Sequence, residues 1–288
     1  MPDLGPFVVA GVSLGSVYAL SGIGIVVLHR ATGTLNLAHG ALGAVSALLA
    51  WELTEERGWP VLAASATGLL AAVAIAWLHA VVVARRLAGR EPMVQASATL
   101  GLMLVLLGAC NWYWGDKPRR LTLPSDRWGF EVGEVRVTGT RLIALVLALA
   151  ITAGIAVFLA RTRVGLRMRA LADHRSVAGI IGVPVDRTTT TAWLIAGALA
   201  GTTGVLLGNL SRLDPPTLTF LVIPGLAAAV CGRLASLAGT LVAGITMGTV
   251  EALATPYGSV TGYRSAAPFL IALLVVFWSA RSPRTVAG

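Results

Sequence analysis

Two polar residues, Asn36 and His39, stand three positions apart in T-L-N-L-A-H-G-A-L-G (residues 34–43), a stretch that is otherwise suited to hydrocarbon. Polar side chains in such a setting either hydrogen-bond to a neighbouring helix or line the route of a polar solute. The preceding T-G-T at residues 32–34 indicates a helix break just before Asn36. A helix that restarts there points its N-terminal N–H groups into the protein, where they attract carboxylate-like groups. This favours the solute route over a purely structural role.

Glu251 is a second candidate, because it is a carboxylate within an apolar run near the end of the chain. It lies about one helical turn from the expected membrane interface, so its side chain either faces water or belongs to the solute route.

The residue pattern does not support catalysis. G-V-S-L-G at residues 11–15 has the spacing of a serine nucleophile elbow, but it lies in an apolar helix without acid and base partners. A nucleotide-binding P-loop needs a lysine between glycine and serine or threonine, and the only lysine, Lys117, lies in G-D-K-P. No carboxylate pair or Cys/His cluster has acid–base or metal-ligand spacing. The sequence therefore predicts no catalytic residue, no metal site, no cofactor and no ATP hydrolysis in this chain.

The composition is that of an integral membrane protein. The 288 residues are 56% hydrophobic and 12% charged, and the mean hydropathy is +0.80, whereas a soluble domain carries about 25% charged residues. The net charge of +9 comes from basic residues scattered between apolar runs. That distribution indicates membrane orientation rather than nucleic-acid binding.

Nine apolar runs approach the length of about 20 residues that a helix needs to cross a bilayer. They cover residues 7–28, 34–51, 60–84, 94–114, 142–160, 189–210, 217–231, 235–255 and 266–280. We therefore predict one all-α domain over residues 1–288, a polytopic membrane helix bundle with eight or nine transmembrane helices. The number stays open because the seventh run is short and contains Pro224 and Gly225.

The basic loops set the orientation. With nine spans, the basic segments 84–90 and 161–169 and the arginines of the C-terminus fall on one side, which the positive-inside rule makes cytoplasmic. The N-terminus is then outside and the C-terminus cytoplasmic. The loop of residues 115–141 falls outside although it is basic. Its alternating F-E-V-G-E-V-R-V at 130–137 predicts a small outer β-hairpin.

Glycines recur at helical spacing in several runs. Gly11 and Gly15 form one pair, Gly244 and Gly248 another, and four glycines lie at positions 197, 201, 204 and 208. In lipid, helices associate by close backbone approach through small residues. These positions therefore predict packing seams.

The cytoplasmic loop of residues 161–188 is too charged to span the bilayer and too apolar for a free linker. On one helix, Leu166, Ala170, Val177 and Ile181 share an apolar stripe, and Gly182 followed by proline ends the helix. Such a surface helix docks either on a partner protein or on the headgroup layer.

Three patterns resemble the permeases of ABC importers for branched-chain amino acids. R-V-G-L-R-M-R-A-L-A-D-H-R-S-V-A-G-I-I-G-V (163–183) resembles their coupling loop. G-V-S-L-G-S-V-Y-A-L (11–20), followed by L-N-L-A-H-G (35–40), is similar to their opening pattern, and G-T-V-E (248–251) to a later one. The resemblance covers nearly the whole chain. It departs at Ala41, where relatives often have glutamate, and in segment 110–140, which matches no family pattern.

The resemblance implies the transmembrane permease subunit of an importer in the bacterial inner membrane. Its partners would be a second homologous permease, two cytoplasmic ATPase subunits that carry ATP and Mg²⁺, and an extracytoplasmic solute-binding protein. The candidate solute route comprises Asn36, His39, Glu251 and Tyr18. The candidate coupling residues are Leu166, Arg167, Ala170, Asp173, Val177, Ala178 and Gly182. In the outer loop, we expect Lys117, Arg119 and Arg120 to contact the binding protein through charge complementarity.

Two alternatives stay open at this point. One is a self-contained secondary transporter or channel for a small solute. The other is a related ABC permease for urea or short amides, which use similar permeases.

Overall fold

The computed structural model describes residues 4–115, 117, 119–132, 135–173, 175–220, 222–256 and 266–281. Its helices are α1 (Gly5–Thr32), α2 (His39–Trp51), α3 (Val61–His79), α4 (Pro92–Trp114), α5 (Gly139–Arg161), α6 (Arg163–Asp173), α7 (Arg175–Ile180), α8 (Val185–Leu210), α9 (Pro215–Phe220), α10 (Val222–Cys231), α11 (Leu237–Leu253) and α12 (Ala267–Arg281). Helices α2 and α3 each continue into a π-helical turn, Glu52–Glu56 and Ala80–Ala84.

Within the described residues, five helices are long and apolar enough to cross a membrane, by length and composition: Gly5–Thr32, Val61–Ala84, Pro92–Trp114, Gly139–Arg161 and Val185–Leu210. Three shorter apolar helical segments cover Pro215–Cys231, Leu237–Leu253 and Ala267–Phe277. Together with the membrane-like composition, they make this a multi-pass helical membrane protein.

Helix α1 lies at the centre of the bundle. Its most apolar stretch is 89% buried, whereas the corresponding stretches of α4 and α5 are each 22% buried. Helices α8, α10 and α11 surround α1, and α8 also packs on α2 and α3. The outer helices thus present apolar side chains to the lipid, as a membrane bundle requires.

The predicted glycine seams are confirmed. A Cβ atom on Gly15 would lie 2.6 Å from the carbonyl oxygen of Gly244 and 2.6 Å from the Cα atom of Ile245, so α1 and α11 touch backbone to backbone. Gly204 of α8 likewise lies against the backbone of Gly43 in α2. Residue 15 of α1 lies beside residue 244 of α11, and residue 11 lies beside residue 249. The residue numbers run in opposite directions along the contact, so the two helices are antiparallel.

The predicted break before Asn36 is present and is longer than expected. Helix α1 ends at Thr32, Gly33 has a φ of +74° in the left-handed region, and α2 begins only at His39. The Asn36 side chain accepts the backbone N–H of Ala38 (3.1 Å). That bond replaces a helical one and holds the chain out of helix up to the start of α2.

The threonine Thr99 of α4 fastens this non-helical segment. Its hydroxyl accepts the backbone N–H of Leu37 (3.1 Å) and lies 2.9 Å from the carbonyl oxygen of Leu35, to which it donates. Thr34 also bonds to the side chain of Gln95 on the same helix. Two backbone groups that the break takes out of helix, the Leu37 N–H and the Leu35 carbonyl, therefore find a partner on α4, as burial demands.

One end of the bundle, called the strand end below, carries residues 115–138. Within this segment Gly129–Val132 and Val135–Thr138 pair as antiparallel strands, with Gly129 opposite Thr138. This pairing lies where the sequence predicts a hairpin, and its connection, residues 133 and 134, lies outside the described residues. The ends of α2, α4 and α8 and the start of α5 meet here.

The opposite end, called the α6 end, carries helices α6 and α7. Helix α6 packs against α1 and α5. Arg30 near the end of α1 donates to the carbonyl oxygen of Ala235, which precedes α11 (3.2 Å). The two segments that sequence analysis singled out for partners, residues 115–141 and 161–188, thus lie at opposite ends of the same bundle.

Candidate functional site

A large cavity opens at the strand end of the bundle. Its volume is about 620 Å³, and its walls come from α1, α8, α11, the start of α5 and the segment after α4. The polar lining residues are Tyr18, Arg119, Arg120, Arg141, Asn209, Ser211, Arg212, Thr217, Glu251 and Thr255. A volume of this size is within the range that holds a small organic solute.

Tyr18 and Glu251 meet in the wall of this cavity. The Tyr18 hydroxyl donates to the Glu251 carboxylate (Oη to Oε2, 2.9 Å) across 233 positions of sequence. The glycine seam holds α1 and α11 close enough for this bond. Tyr18 lies one turn beyond Gly15 and Glu251 two turns beyond Gly244, which are opposite directions along an antiparallel pair, so the bond spans the backbone contact between them. Two of the four predicted route residues are therefore brought together.

The cavity carries more positive than negative charge. Among the described residues that line it are four arginines, Arg119, Arg120, Arg141 and Arg212, and one carboxylate, Glu251. Guanidinium groups bind carboxylates in a planar, two-point geometry. The arrangement can therefore receive a solute or a protein side chain that bears a carboxylate.

The Arg119 side chain is bonded to groups of its own chain. Its guanidinium lies 4.7 Å from the centre of the Trp51 ring, and it donates to the carbonyl oxygens of Lys117 (3.1 Å) and Trp114. Its backbone N–H and carbonyl pair with those of Leu213 (3.3 and 3.1 Å). Arg119 therefore holds the segment after α4 in place, while Lys117 and Arg120 are exposed.

Glu52 is a buried acid that sequence analysis did not single out. It is 4% exposed, and its carboxylate accepts from Arg57 (2.6 Å) and from the Trp114 indole (3.1 Å). A signal for Glu52 was its place at the end of an apolar run, where a carboxylate needs partners.

A second polar cluster fixes the segment between α4 and α5 to α8 and to the start of α5. Asp126 accepts from the Thr140 hydroxyl (2.7 Å), the Leu123 backbone N–H (3.1 Å) and the Asn209 amide (2.6 Å). Partial burial acts to raise the pKa of Asp126, but these bonds and nearby Arg120 outweigh it and hold this pKa below its ordinary value. The carboxylate is thus charged and bonded throughout the neutral range.

Asn36 and His39 do not line the large cavity. Both are 1% exposed. Asn36 lies in the non-helical segment held by α4, and His39, the first residue of α2, borders a much smaller void between α1, α2 and α8. The four predicted route residues therefore form two separate groups, with Tyr18 and Glu251 in the cavity and the other two buried beyond it.

Helices α6 and α7 expose the predicted apolar stripe. Leu166 is 59% exposed, Val177 52% and Ile181 70%, and Arg167 on the same face is also exposed. Ala170 is half-buried. The helices bury another face, which includes Met168 and Leu171, against the rest of the chain.

Two of the remaining predicted coupling residues lie at the end of this segment. Ala178 is 2% exposed, so it packs inside the protein and cannot present a surface to a partner. Gly182 has a φ of +89°, which allows the chain to turn from α7 into α8 as predicted. The backbone of Asp173 lies at the end of α6.

Removing the cavity carboxylate is expected to impair transport. Glu251→Gln keeps the shape of the side chain but removes its charge, and Tyr18→Phe removes the hydrogen bond to it. We expect uptake to fall by roughly tenfold with Glu251→Gln, which removes a charge from the cavity, and less with Tyr18→Phe, which removes one hydrogen bond but leaves the carboxylate in place. Radiolabelled solute uptake into whole cells measures both.

Glu55→Gln supplies the matched control. Glu55 is an exposed acid at the same end of the bundle, where it accepts from the Thr122 hydroxyl (2.9 Å) without lining the cavity. Its variant should transport normally. Equal losses in the Glu55 and Glu251 variants would show that general surface charge matters, and the cavity assignment would then fail.

The family model for the branched-chain amino acid transport system permease component matches residues 7–278. The high-affinity branched-chain amino acid transport system permease protein LivH of Escherichia coli is 26% identical over 281 residues, which cover 92% of this chain and 90% of that protein. The corresponding permease protein BraD of Pseudomonas aeruginosa is 26% identical over 287 residues, covering 94% and 92%.

Among solved structures, PsaBC from Streptococcus pneumoniae in complex with Fab aligns with a TM-score of 0.49 at 14% identity, over 97% of this chain and 91% of that one. The family model, by contrast, matches the sequence itself over almost its full length. The chain therefore belongs to the family of permease components of branched-chain amino acid transport systems.

Proposed function

We propose that this chain is the transmembrane permease subunit of an ATP-binding-cassette importer that moves branched-chain amino acids or a similar small polar solute across the bacterial inner membrane. The observation that carries the proposal is the family match over residues 7–278. The named relatives are branched-chain amino acid permeases. They do not favour a self-contained transporter or channel, or a permease for urea or short amides.

The chain works with other subunits in this proposal. A second homologous permease completes the membrane part, two cytoplasmic ATPases supply the energy, and an extracytoplasmic protein delivers the solute. ATP and Mg²⁺ bind to the ATPases, and this chain carries no cofactor. Support comes from the sequence, which lacks a P-loop, and from the two partner-facing segments at opposite ends of the bundle.

The proposed topology has nine crossings in one domain, with the N-terminus outside and the C-terminus cytoplasmic. Helices α1, α2, α3, α4, α5, α8, the α9–α10 pair, α11 and α12 would each cross once. Two contacts support this alternation of directions. Helices α1 and α11 are antiparallel, and the ends of α2 and α4 meet through the bond from Trp114 to Glu52, so these two helices run the same way. The strand end is then the outer face, and the α6 end, with the basic residues of 84–90 and 161–169, is the cytoplasmic face.

The proposed solute route begins at the strand-end cavity. Glu251 faces it from α11, and Tyr18 orients the carboxylate by donating a hydrogen bond. The arginines of the cavity would attract the carboxylate of an amino acid, and Glu251 its ammonium group. Both charges of a zwitterionic solute would therefore have a partner of opposite charge in the cavity. Urea is uncharged and would gain nothing from these pairs.

Lys117 and Arg120 are the proposed contacts for the binding protein in the outer segment. Both are exposed, and positive charge there would speed encounter with an acidic rim. The double variant Lys117→Glu/Arg120→Glu should slow association at low salt by roughly tenfold and lose the acceleration that low salt gives. Stopped-flow binding of the purified binding protein to the transporter in nanodiscs measures the rate.

Arg127→Glu is the control for this experiment, because Arg127 is an exposed arginine of the same segment that does not line the cavity. It should change the rate much less. If the double variant associates as fast as the unmodified transporter at every salt concentration, neither residue lies at the interface.

Purification from the native host tests the proposed function as a whole. ATPase subunits should co-purify with the chain, and reconstituted uptake should require ATP and the binding protein. Gradient-driven uptake by the chain alone in liposomes, without ATP, would contradict the proposal. The same preparation loaded with different solutes identifies which one the complete system transports.

A further inference from the structure

A small void lies beside His39, between α1, α2, α8 and the α9–α10 pair. It offers about 10 Å³ to the centre of a water molecule, close to the minimum that one water needs. We infer that this void is a binding site for a single water molecule, held by the imidazole of His39 and the hydroxyl groups of Ser21 and Thr203. This inference does not depend on the proposed function.

The imidazole of His39 requires a partner that the described protein groups do not supply. The side chain is 1% exposed, and neither Nδ1 nor Nε2 has a hydrogen-bond partner among the described residues. A neutral imidazole has one donor and one acceptor, and buried polar groups in native proteins are almost always bonded to protein or to ordered water. An imidazole at this depth that no described protein group bonds therefore requires a small bound molecule as its partner.

The ring packs closely against the central helix. It lies against Gly24 of α1, where an added Cβ atom would overlap the ring Cε1 and lie 3.2 Å from Nε2. The same added Cβ atom on Gly24 would also lie 3.2 Å from the Cβ atom of Leu199 on α8. The absent side chain of Gly24 therefore makes room for the imidazole between α1 and α8.

Two hydroxyl groups complete the site. Thr203 Oγ1 donates to the carbonyl oxygen of Leu199 (2.6 Å), which leaves its lone pairs free to accept. Ser21 borders the void from α1. With the imidazole, they give a water two to three partners, as buried waters commonly have. The rest of the lining consists of glycine, alanine, leucine and valine.

The size and chemistry of the void exclude larger or charged occupants. An amino acid does not fit a space for one water, and the three polar groups are neutral acceptors and donors without a carboxylate. Among the described residues, no group of three His, Cys, Asp or Glu could hold a metal ion. Water is the occupant that satisfies the ring at this volume.

The bound water would tie three helices together where α2 begins. Ser21 belongs to α1, His39 to α2 and Thr203 to α8. The junction follows directly after the non-helical segment 33–38, which Thr99 and Gln95 bond to α4. His39 is therefore a positioning residue, which holds the first turn of α2 against the central helix through a water.

Water-edited solid-state NMR on the full chain in lipid bilayers, with ¹⁵N-labelled histidine rings, tests the inference. The His39 signal, assigned by its loss in His39→Gln, should receive magnetisation from a bound water. In Thr203→Val, which keeps the size of the side chain but removes the acceptor, this transfer should fall by roughly twofold or more. Thr202→Val is the matched control, because Thr202 bonds its own helix backbone in the same way (2.9 Å) but does not line the void.

A His39 ring in the unmodified protein that receives no magnetisation from water would overturn the inference, and so would a transfer that Thr203→Val leaves unchanged. A His39 signal that shifts when leucine is added would also count against it, since the void would then exchange solute rather than hold water. The measurement on the unmodified protein decides even if a variant fails to fold.

Discussion

Ala170→Glu is expected to abolish solute uptake while leaving the permease inserted and folded. Ala170 lies on the stripe of α6 and α7 whose members Leu166, Val177 and Ile181 are exposed. If this stripe enters a groove on an ATPase, a buried charge at its centre loses its solvation without gaining a partner. We expect a loss of roughly tenfold or more in uptake, which corresponds to at least about 1.4 kcal/mol of docking free energy.

Ala172→Glu is the control for this prediction. Ala172 is an exposed alanine of the same helix but lies about half a turn away from the stripe, so a charge there should be tolerated. Co-purification of the ATPases and uptake in vesicles are measured for both variants. If α6 merely lies on the headgroup layer, both variants keep their ATPases; an Ala170→Glu transporter with normal uptake would show that the coupling assignment is wrong.

The burial pattern of α6 and α7 explains the choice of Ala170 for this test. The segment buries Met168, Leu171 and Ala178 against its own chain, so substitutions at these positions would disturb folding as well as docking. Ala170 is partly exposed and contributes little to the core. Its substitution therefore separates loss of a partner from loss of the fold.

Gly15→Ala is expected to destabilise the permease more than any other single methyl group added to its glycines in α1. The new Cβ atom would lie 2.6 Å from the Gly244 carbonyl oxygen and 2.6 Å from the Ile245 Cα atom. Both are backbone atoms of a neighbouring helix and cannot move without separating α1 from α11. Overpacking of this kind costs about 1–3 kcal/mol or more.

The separation should also affect function, because the same seam holds α1 and α11 close enough for Tyr18 to donate to Glu251. Thermal unfolding in detergent, followed by size-exclusion chromatography, measures the first effect, and uptake measures the second. We expect a lower unfolding midpoint and reduced uptake together.

Gly154→Ala is the matched control. Gly154 is a glycine inside α5, where an added Cβ atom would meet nothing within 4 Å. Alanine there should be neutral or stabilise the helix by about 0.5–1 kcal/mol. Similar destabilisation of both variants would mean that glycine flexibility, rather than the close helix contact, is what α1 requires at position 15.

Some properties of this protein follow from the sequence alone, because the bilayer makes them local. Apolar runs of sufficient length predict the helices, since a backbone in lipid must satisfy its own hydrogen bonds. Helical spacing of small residues predicted the seam at Gly15 and Gly244, and T-G-T predicted the break that begins at Gly33. The turn at Gly182 likewise depends on backbone preference. Each of these properties depends on a few neighbouring residues, so no knowledge of the fold is needed.

Other properties depend on which helices are neighbours, and only the tertiary structure decided them. Tyr18 and Glu251 are 233 positions apart, and their hydrogen bond exists because α1 and α11 are antiparallel and in backbone contact. The same packing assigns Asn36 and His39 to a separate buried region. Arg119, which by sequence resembled a free surface charge, is held by Trp51 and by backbone carbonyls. Side-chain type and spacing define what each residue can bind, but its actual partner is set by the long-range contacts that the folded bundle creates.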